Sequence, residues 1–448
     1  MGFIVLIICV MFLLFSILKL KKNIFSPAVL FFLLWTFILF LSNLGLYNII
    51  RPKWEAYFLI MLMLVFFFLG YFINEKYKLI SKFKIKRVNL IKNERNEETL
   101  HIPKYFYLIC YILMGLLLLF LLIDSIIVVK YILKGTPMYI IRNWTLEPYG
   151  SINPILSRRT FFEDVFRTML LTPFSNIITP IIAYIFFNDK KNKNRIPLII
   201  LSVVNIVLSS MAGGGGRLGF IYYFGCFALS FIVFLSSQKE KKEKITKYGK
   251  YMFFCLIGGL TIVILYTILR AGKGNLFKQI YTYFAMPPTL LSLWLPKIQV
   301  SHHFWGLITF FGVHSYFFRF FDTIGLTFLV PNIYNEAYQQ IVNAEVFINA
   351  GFGMANAFVS PIYYFYLDGG PIFVCLASLF FGLIVSYIYT KFLNNINLKN
   401  FVMYALLMYG VFLTFIRIQT AIPSYIISFV LLYLIFKVSS LMEKVWKK

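Results

Sequence analysis

The chain has 448 residues, of which 60% are hydrophobic, 20% aromatic and only 13% charged, with a net charge of +26. A soluble domain carries about 45–50% apolar and about 25% charged residues, so this composition excludes a soluble globular protein and a disordered one alike. It predicts a multi-pass membrane protein with basic loops, and the excess of positive charge does not point to nucleic acid as a partner.

The N-terminus, Met1-Gly2-Phe3-Ile4, has neither a basic leading region nor a small-residue cleavage site. Its apolar run to Ser16 meets Lys19, Lys21 and Lys22, which reads as a first spanning helix with its N-terminus outside. A spanning helix needs roughly 20 mostly apolar residues. Eleven segments qualify, near 2–18, 27–46, 56–73, 105–128, 168–187, 196–211, 218–236, 251–269, 371–389, 401–416 and 423–438. The connections then predicted inside lie near 19–22, 74–104, 188–195, 237–250, 390–400 and 437–448. They hold about 28 of the 43 Lys and Arg, and the longer outside connections hold about 15. That bias supports an odd number of spans and a cytoplasmic C-terminus. The expected architecture is therefore an all-α, polytopic membrane protein with about 11 transmembrane helices. It forms a single integral membrane domain over 1–448, with a large extracytoplasmic loop at 270–370.

Ionisable residues are nearly missing from the helix centres, and Asp124 stands near the outer end of its helix. Ion-coupled transporters usually need charges at mid-membrane or clearly broken helices. A second outer loop, roughly 129–167, carries Arg142, Arg158, Arg159, Glu163, Asp164 and Arg167. Gly213-Gly214-Gly215-Gly216-Arg217 then precedes the helix starting near Leu218. A glycine run can turn N–H groups toward one point, and the helix start and an arginine add positive potential, so Gly215, Gly216 and Arg217 are candidate phosphate ligands. A plain turn with an arginine reaching toward the headgroups explains the same residues. Lys239-Glu240-Lys241-Lys242-Glu243-Lys244 reads as a solvated stop signal facing the lipid headgroups. Arg270-Ala271-Gly272-Lys273 follows at the outer end of the eighth span. It is either a favourable cation pair at a helix C-terminus or a second clamp on the same anion.

The 270–370 loop is not hydrophilic. Trp294, Trp305 and the run Tyr316-Phe317-Phe318-Arg319-Phe320-Phe321-Asp322 predict helices in the membrane interface or re-entrant pieces. Along 305–322, Thr309, Gly312, Ser315 or Tyr316, Arg319 and Asp322 make a small, polar stripe with His314 beside it. His314 is a candidate general base and Arg319 an anion ligand, while Arg319 and Asp322 at i,i+3 also fit a simple ion pair. Further on come Glu336, Glu345, Asn349, Asn356, Tyr363, Tyr364 and Tyr366, then Asp368-Gly369-Gly370-Pro371 opening the ninth span. Asp368 either steadies that turn or, with Asn356 and Tyr364, belongs to a sugar site, where aromatic faces stack on rings and amides hold hydroxyls. The five cysteines sit in apolar runs without a CxxC pair and the four histidines form no HExxH, so neither disulfides nor a metal is expected.

These features resemble the Wzy-type polymerases that join oligosaccharide repeat units of bacterial surface polysaccharides, and are similar in character to O-antigen ligases and other GT-C-type membrane glycosyltransferases. The resemblance spans most of the chain: the number of spans, the large outer loop before the last helices, and two local patterns. One is Gly214-Gly215-Gly216-Arg217. The other runs from Asn356 to Tyr364-Phe365-Tyr366-Leu367-Asp368-Gly369-Gly370, where the family more often has Asp-Phe-Gly. The resemblance implies oligosaccharide units on undecaprenyl pyrophosphate as substrate, displayed on the outer face of the bacterial cytoplasmic membrane, and capsule or O-antigen as product. It also implies a flippase and a chain-length regulator as partners beside the membrane lipids. Departing pyrophosphate calls for positive charge, from Arg217, Arg270, Lys273 and Arg319. The acceptor hydroxyl calls for a base or orienting group, from His314, Asp368, Asp322 and Glu345. No cofactor is required, because pyrophosphate is already a good leaving group. Two other activities remain open on the sequence: a ligase moving finished glycan to another acceptor, and a flippase of lipid-linked oligosaccharide.

Overall fold

A computed structural model describes residues 1–19, 26–77, 104–137, 140–141, 144, 161–188, 195–213, 216–237, 257–259, 261, 264, 267, 276–298, 302–356 and 358–446. Among the described residues the fold is all-α apart from one two-residue antiparallel ladder, β1 (Ile348–Asn349) with β2 (Met354–Ala355). Among the described residues, ten helices are long and apolar enough to cross a membrane. They coincide with ten of the eleven predicted segments, and the eleventh, 251–269, lies mostly outside the described residues. The chain is thus a multi-pass membrane protein by the length and apolarity of its helices.

The residues gather into two compact units, each assembled from separate stretches. The first takes 1–92, 277–396 and 407–426. It contains α1 (Gly2–Lys19), α2 (Pro27–Leu44) and α3 (Trp54–Tyr77). The second takes 93–276, 397–406 and 427–448. It contains α4 (Lys104–Leu133), then α5 (Phe161–Phe166), which runs through a π-helical turn at Arg167–Leu171 into α6 (Thr172–Asn188). It also holds α7 (Arg195–Ala212) and α8 (Leu218–Ser237). The first unit resumes with α9 (Leu276–Trp294), α10 (Phe311–Thr323), α11 (Asn332–Asn343) and α12 (Ser360–Asn394). The last two helices, α13 (Leu398–Phe412) and α14 (Pro423–Trp446), contribute residues to both units.

In the first unit α3 and α12 lie unusually close because each offers a glycine. A Cβ on Gly70 would strike the Leu379 carbonyl, and one on Gly382 would strike the Phe67 carbonyl. Small residues let apolar helices approach where no hydrophobic force between them exists in lipid. Asn74 Nδ2 donates to Ser386 Oγ at 3.2 Å in the same contact. α12 is two helices joined across a kink at Gly369 and Gly370. At Gly370 φ is +62°, a left-handed value that favours glycine, and Pro371 starts the second piece where a missing N–H costs nothing. The predicted ninth span, 371–389, is that second piece, and the short helix before it was not anticipated. Loops collect at one end of this unit. Ile50 N donates to Ala350 O (3.0 Å), Thr289 Oγ1 to Ile50 O (2.8 Å) and Lys53 N to Ser292 Oγ (2.8 Å).

Candidate functional site

The residues that matter most cluster where these loops meet the turn between α13 and α14. That turn leaves α13 through a short 3-10 segment, Leu413–Phe415, and Arg417 N donates to Leu413 O at 3.1 Å. Beneath it, Phe415 packs on Phe284 at 5.5 Å and on Phe358 at 5.8 Å. Arg417 is then aimed at the segment following α11, where its Nη1 donates to Glu345 Oε1. Glu345 is held from behind, since Asn356 Nδ2 donates to its backbone carbonyl at 2.8 Å. The two side chains keep 21% and 26% of their surface exposed, so the pair is neither sealed nor free in water. Among the described residues, Arg417 Nε and Nη2 donate to nothing and Glu345 Oε2 accepts nothing. Burial opposes the guanidinium charge, but buried Tyr364 and Glu345 more than offset it and hold Arg417 above its ordinary pKa. The arrangement is a cation and a carboxylate side by side, each with hydrogen-bonding capacity left over.

Asp368 sits beside this pair in the chain of contacts without belonging to it. It is fully buried, and its oxygens accept from Ile308 N (3.0 Å) and Thr309 N (2.8 Å). Trp305 N donates to Asp368 O at 2.8 Å, so the 304–309 loop is fastened to the break in α12. Thr420 Oγ1 donates to Thr309 O at 2.6 Å, which ties the same loop to the Arg417 turn. Ser360 N donates to Ile416 O at 3.0 Å and adds a second tie. Asp368 therefore acts as an anchor, through Thr309 and Thr420, for the position of Arg417.

His314 lies on α10 and donates from Nε2 to Leu307 O, 2.9 Å away, which leaves the lone pair on Nδ1. Nδ1 is buried with no hydrogen-bond partner among the described residues. Desolvation lowers the imidazole pKa, partly countered by the Leu307 bond, so the ring is neutral at pH 7. Asp322 is exposed near the end of α10. Arg319 is helical on α10, and its side chain lies outside the described residues, so the expected Arg319–Asp322 pair lies outside them too. Asn356 and Tyr364 do converge on the pair, one through the Glu345 backbone and one through its charge environment.

The glycine-rich turn belongs to the other unit. Gly213 N donates to Ser209 O (3.0 Å), Gly216 N to Ser210 O (3.3 Å), and Ser210 Oγ to Gly216 O (2.9 Å). Of the N–H groups expected to face a phosphate, that of Gly216 is thus turned back onto α7 as part of a helix C-terminal closure. Arg217 Nη1 donates to Thr267 Oγ1 at 2.7 Å. Gly215, Arg270 and Lys273 lie outside the described residues. The same unit holds a cluster that sequence reasoning listed without joining. Arg167 donates from Nη1 to Asp124 (2.6 Å) and from Nε to Glu163 (2.8 Å), with Nη2 also on Glu163. Its guanidinium covers the Phe120 ring at 4.6 Å.

Arg417 itself was missed. The signal was present: it is the only charged residue between Lys399 and Lys437, a stretch that otherwise forms two apolar spans. Compared with protein-family models, with curated proteins and with solved structures, the chain matches none.

Proposed function

We propose that the protein is a GT-C-type glycosyltransferase of the bacterial cytoplasmic membrane. It joins undecaprenyl-pyrophosphate-linked oligosaccharide repeat units into a surface polysaccharide, and the Glu345–Arg417 pair is its working centre. The supporting observation is that pair: a partly exposed cation and carboxylate with unused donors and an unused acceptor, at a loop-rich end of an otherwise apolar unit. In the reaction, the acceptor sugar hydroxyl attacks the donor anomeric carbon as the bond from that carbon to the pyrophosphate oxygen breaks. The pyrophosphate leaves with the electron pair. The hydroxyl proton passes to Glu345 as general base, and Arg417 meets the leaving phosphate charge. Asn356 and Tyr364 border the acceptor. The pair lies on the outer face if the charge bias sets the orientation, with the N-terminus outside.

The test is to reconstitute the purified protein with lipid-pyrophosphate-linked repeat units and look for a ladder of polymer. The proposal expects a ladder that Arg417→Ala abolishes. A single transfer to a different acceptor would assign a ligase instead. The buried Asp124–Arg167 pair, which Glu163 joins from outside the span, favours one competing reading, because ionisable groups inside spans commonly mark transport paths. Movement of substrate between leaflets with no ladder would establish that flippase and sink the polymerase.

A further inference from the structure

Among the described residues, α10 packs on only one of its sides. Phe311 and Ser315 are buried, Phe311 stacks on Tyr334 at 5.2 Å, and a Cβ on Gly312 would press on the backbone of Thr420 and Ile422. On the other side no packing partner is found among the described residues. Phe310, Val313, Phe317, Phe320 and Ile324 are exposed, and their spacing of three and four residues puts them on one helix face. Single exposed hydrophobic residues need no explanation, but a continuous stripe does. Just before it, Trp305 has a left-handed φ of +50°, rare for a bulky residue, and its side chain is 77% exposed. The stripe stops abruptly in the next helix, where the exposed residues of α11 include Asn332, Asn335, Glu336 and Gln339.

A second bare stripe adjoins the first. Beyond its break α12 exposes Ile372, Leu376, Phe380 and Ile384, at every fourth position of a helix long and apolar enough to span. The neighbour of such a face in a membrane is lipid. Phe373, at the head of that helix, and Phe310 both border Gly306, each 3.6 Å from where a Cβ would stand. The lipid-facing side of α12 and the bare side of α10 therefore meet around the 304–310 loop.

We infer that the Trp305–Ile324 side is a membrane-interface anchor whose occupant is phospholipid, at the boundary of headgroups and acyl chains. A helix lying in that plane sinks its apolar face about 5–10 Å into the boundary region, and tryptophan concentrates there. The polar exposed side of α11 then faces water. This anchor is independent of the reaction proposed above: it fixes the depth of α10, which contacts the turn that carries Arg417, whatever chemistry that turn performs.

The experiment uses single spin labels on the full-length, cysteine-replaced chain in phospholipid nanodiscs. Labels go at Phe317→Cys and Phe320→Cys, with Phe380→Cys as the lipid reference and Asn335→Cys as the water reference. Collision with dissolved oxygen against a water-soluble nickel complex is read at each site. The expected result is a shift of both α10 labels away from the Asn335 value toward the Phe380 value. Values equal to that at Asn335 would overturn the inference, as would dipolar broadening that reports a second copy against the stripe. Should the cysteine-replaced chain fail to fold, benzoylphenylalanine at position 317 of the native chain gives the same answer. A photo-adduct with phospholipid supports the anchor, whereas an adduct with another copy, or none with lipid, refutes it.

Discussion

Two arginine–carboxylate clusters, one in each unit, make opposite use of the same chemistry. Arg167 is buried, and its Nε and both Nη atoms are committed to Asp124 and Glu163, with Phe120 covering the guanidinium. Arg417 is about a fifth exposed and gives one nitrogen to Glu345. A guanidinium with every nitrogen already engaged holds helices together, here α4 against the π-helical turn, and has less left to offer a ligand. A guanidinium with two open nitrogens beside a half-open carboxylate is built to meet one. Available hydrogen-bonding capacity, more than charge or burial, separates a structural arginine from a candidate functional one.

The sharpest way to break this contrast is to remove each arginine and read activity and stability together. Arg417→Ala should lower polymer formation by about 100-fold or more, as loss of a charge-stabilising donor does, with only a small change in thermal unfolding. Arg167→Ala should do the reverse. It removes the guanidinium that Asp124 and Glu163 share, the first of them buried, at a cost of about 3–5 kcal/mol in unfolding measured in detergent. Next in size is Gly382→Ala, which forces a methyl into the Phe67 carbonyl and should cost about 1–3 kcal/mol by separating α3 from α12. Asp368→Asn replaces one acceptor oxygen with a donor facing a backbone N–H, so about 1–3 kcal/mol should be lost. If Asp368 positions Arg417, donor KM should rise in that variant more than kcat falls. The smallest effect is a pH dependence. His314 titrates below its ordinary value of 6.5, so the unfolded chain binds its proton first on acidification. The contribution is therefore fully present above that value and is lost as pH falls toward the folded pKa. His314→Gln should flatten the acid side of a stability–pH curve, and an unchanged slope would remove the assignment.

Long-range sequence pattern was readable wherever length and apolarity sufficed. Ten spans follow from runs too hydrophobic for any other setting, and the Gly369-Gly370-Pro371 break follows from local backbone chemistry. Partner choice was not readable. Glu345 was a candidate on composition, but its pairing joins positions 72 apart in sequence, and nothing local to Arg417 announces it. Asp368 shows the converse. A carboxylate in an aromatic, sugar-like context looked chemical, yet its oxygens are taken by backbone N–H groups from residues 59 and 60 positions earlier. The glycine run also looked like an anion cradle, because sequence reveals freedom to turn N–H groups but not where they turn. In the fold, Gly216 N–H faces the Ser210 carbonyl.

The most direct test of the central claim compares wild type, Arg417→Ala and Arg417→Lys in nanodiscs with lipid-pyrophosphate-linked repeat units, with melting recorded on the same samples. The account predicts chains that melt alike, no ladder for the alanine variant, and a weakened ladder for lysine, which keeps the charge but loses the planar donors. A full ladder from well-folded Arg417→Ala would contradict it.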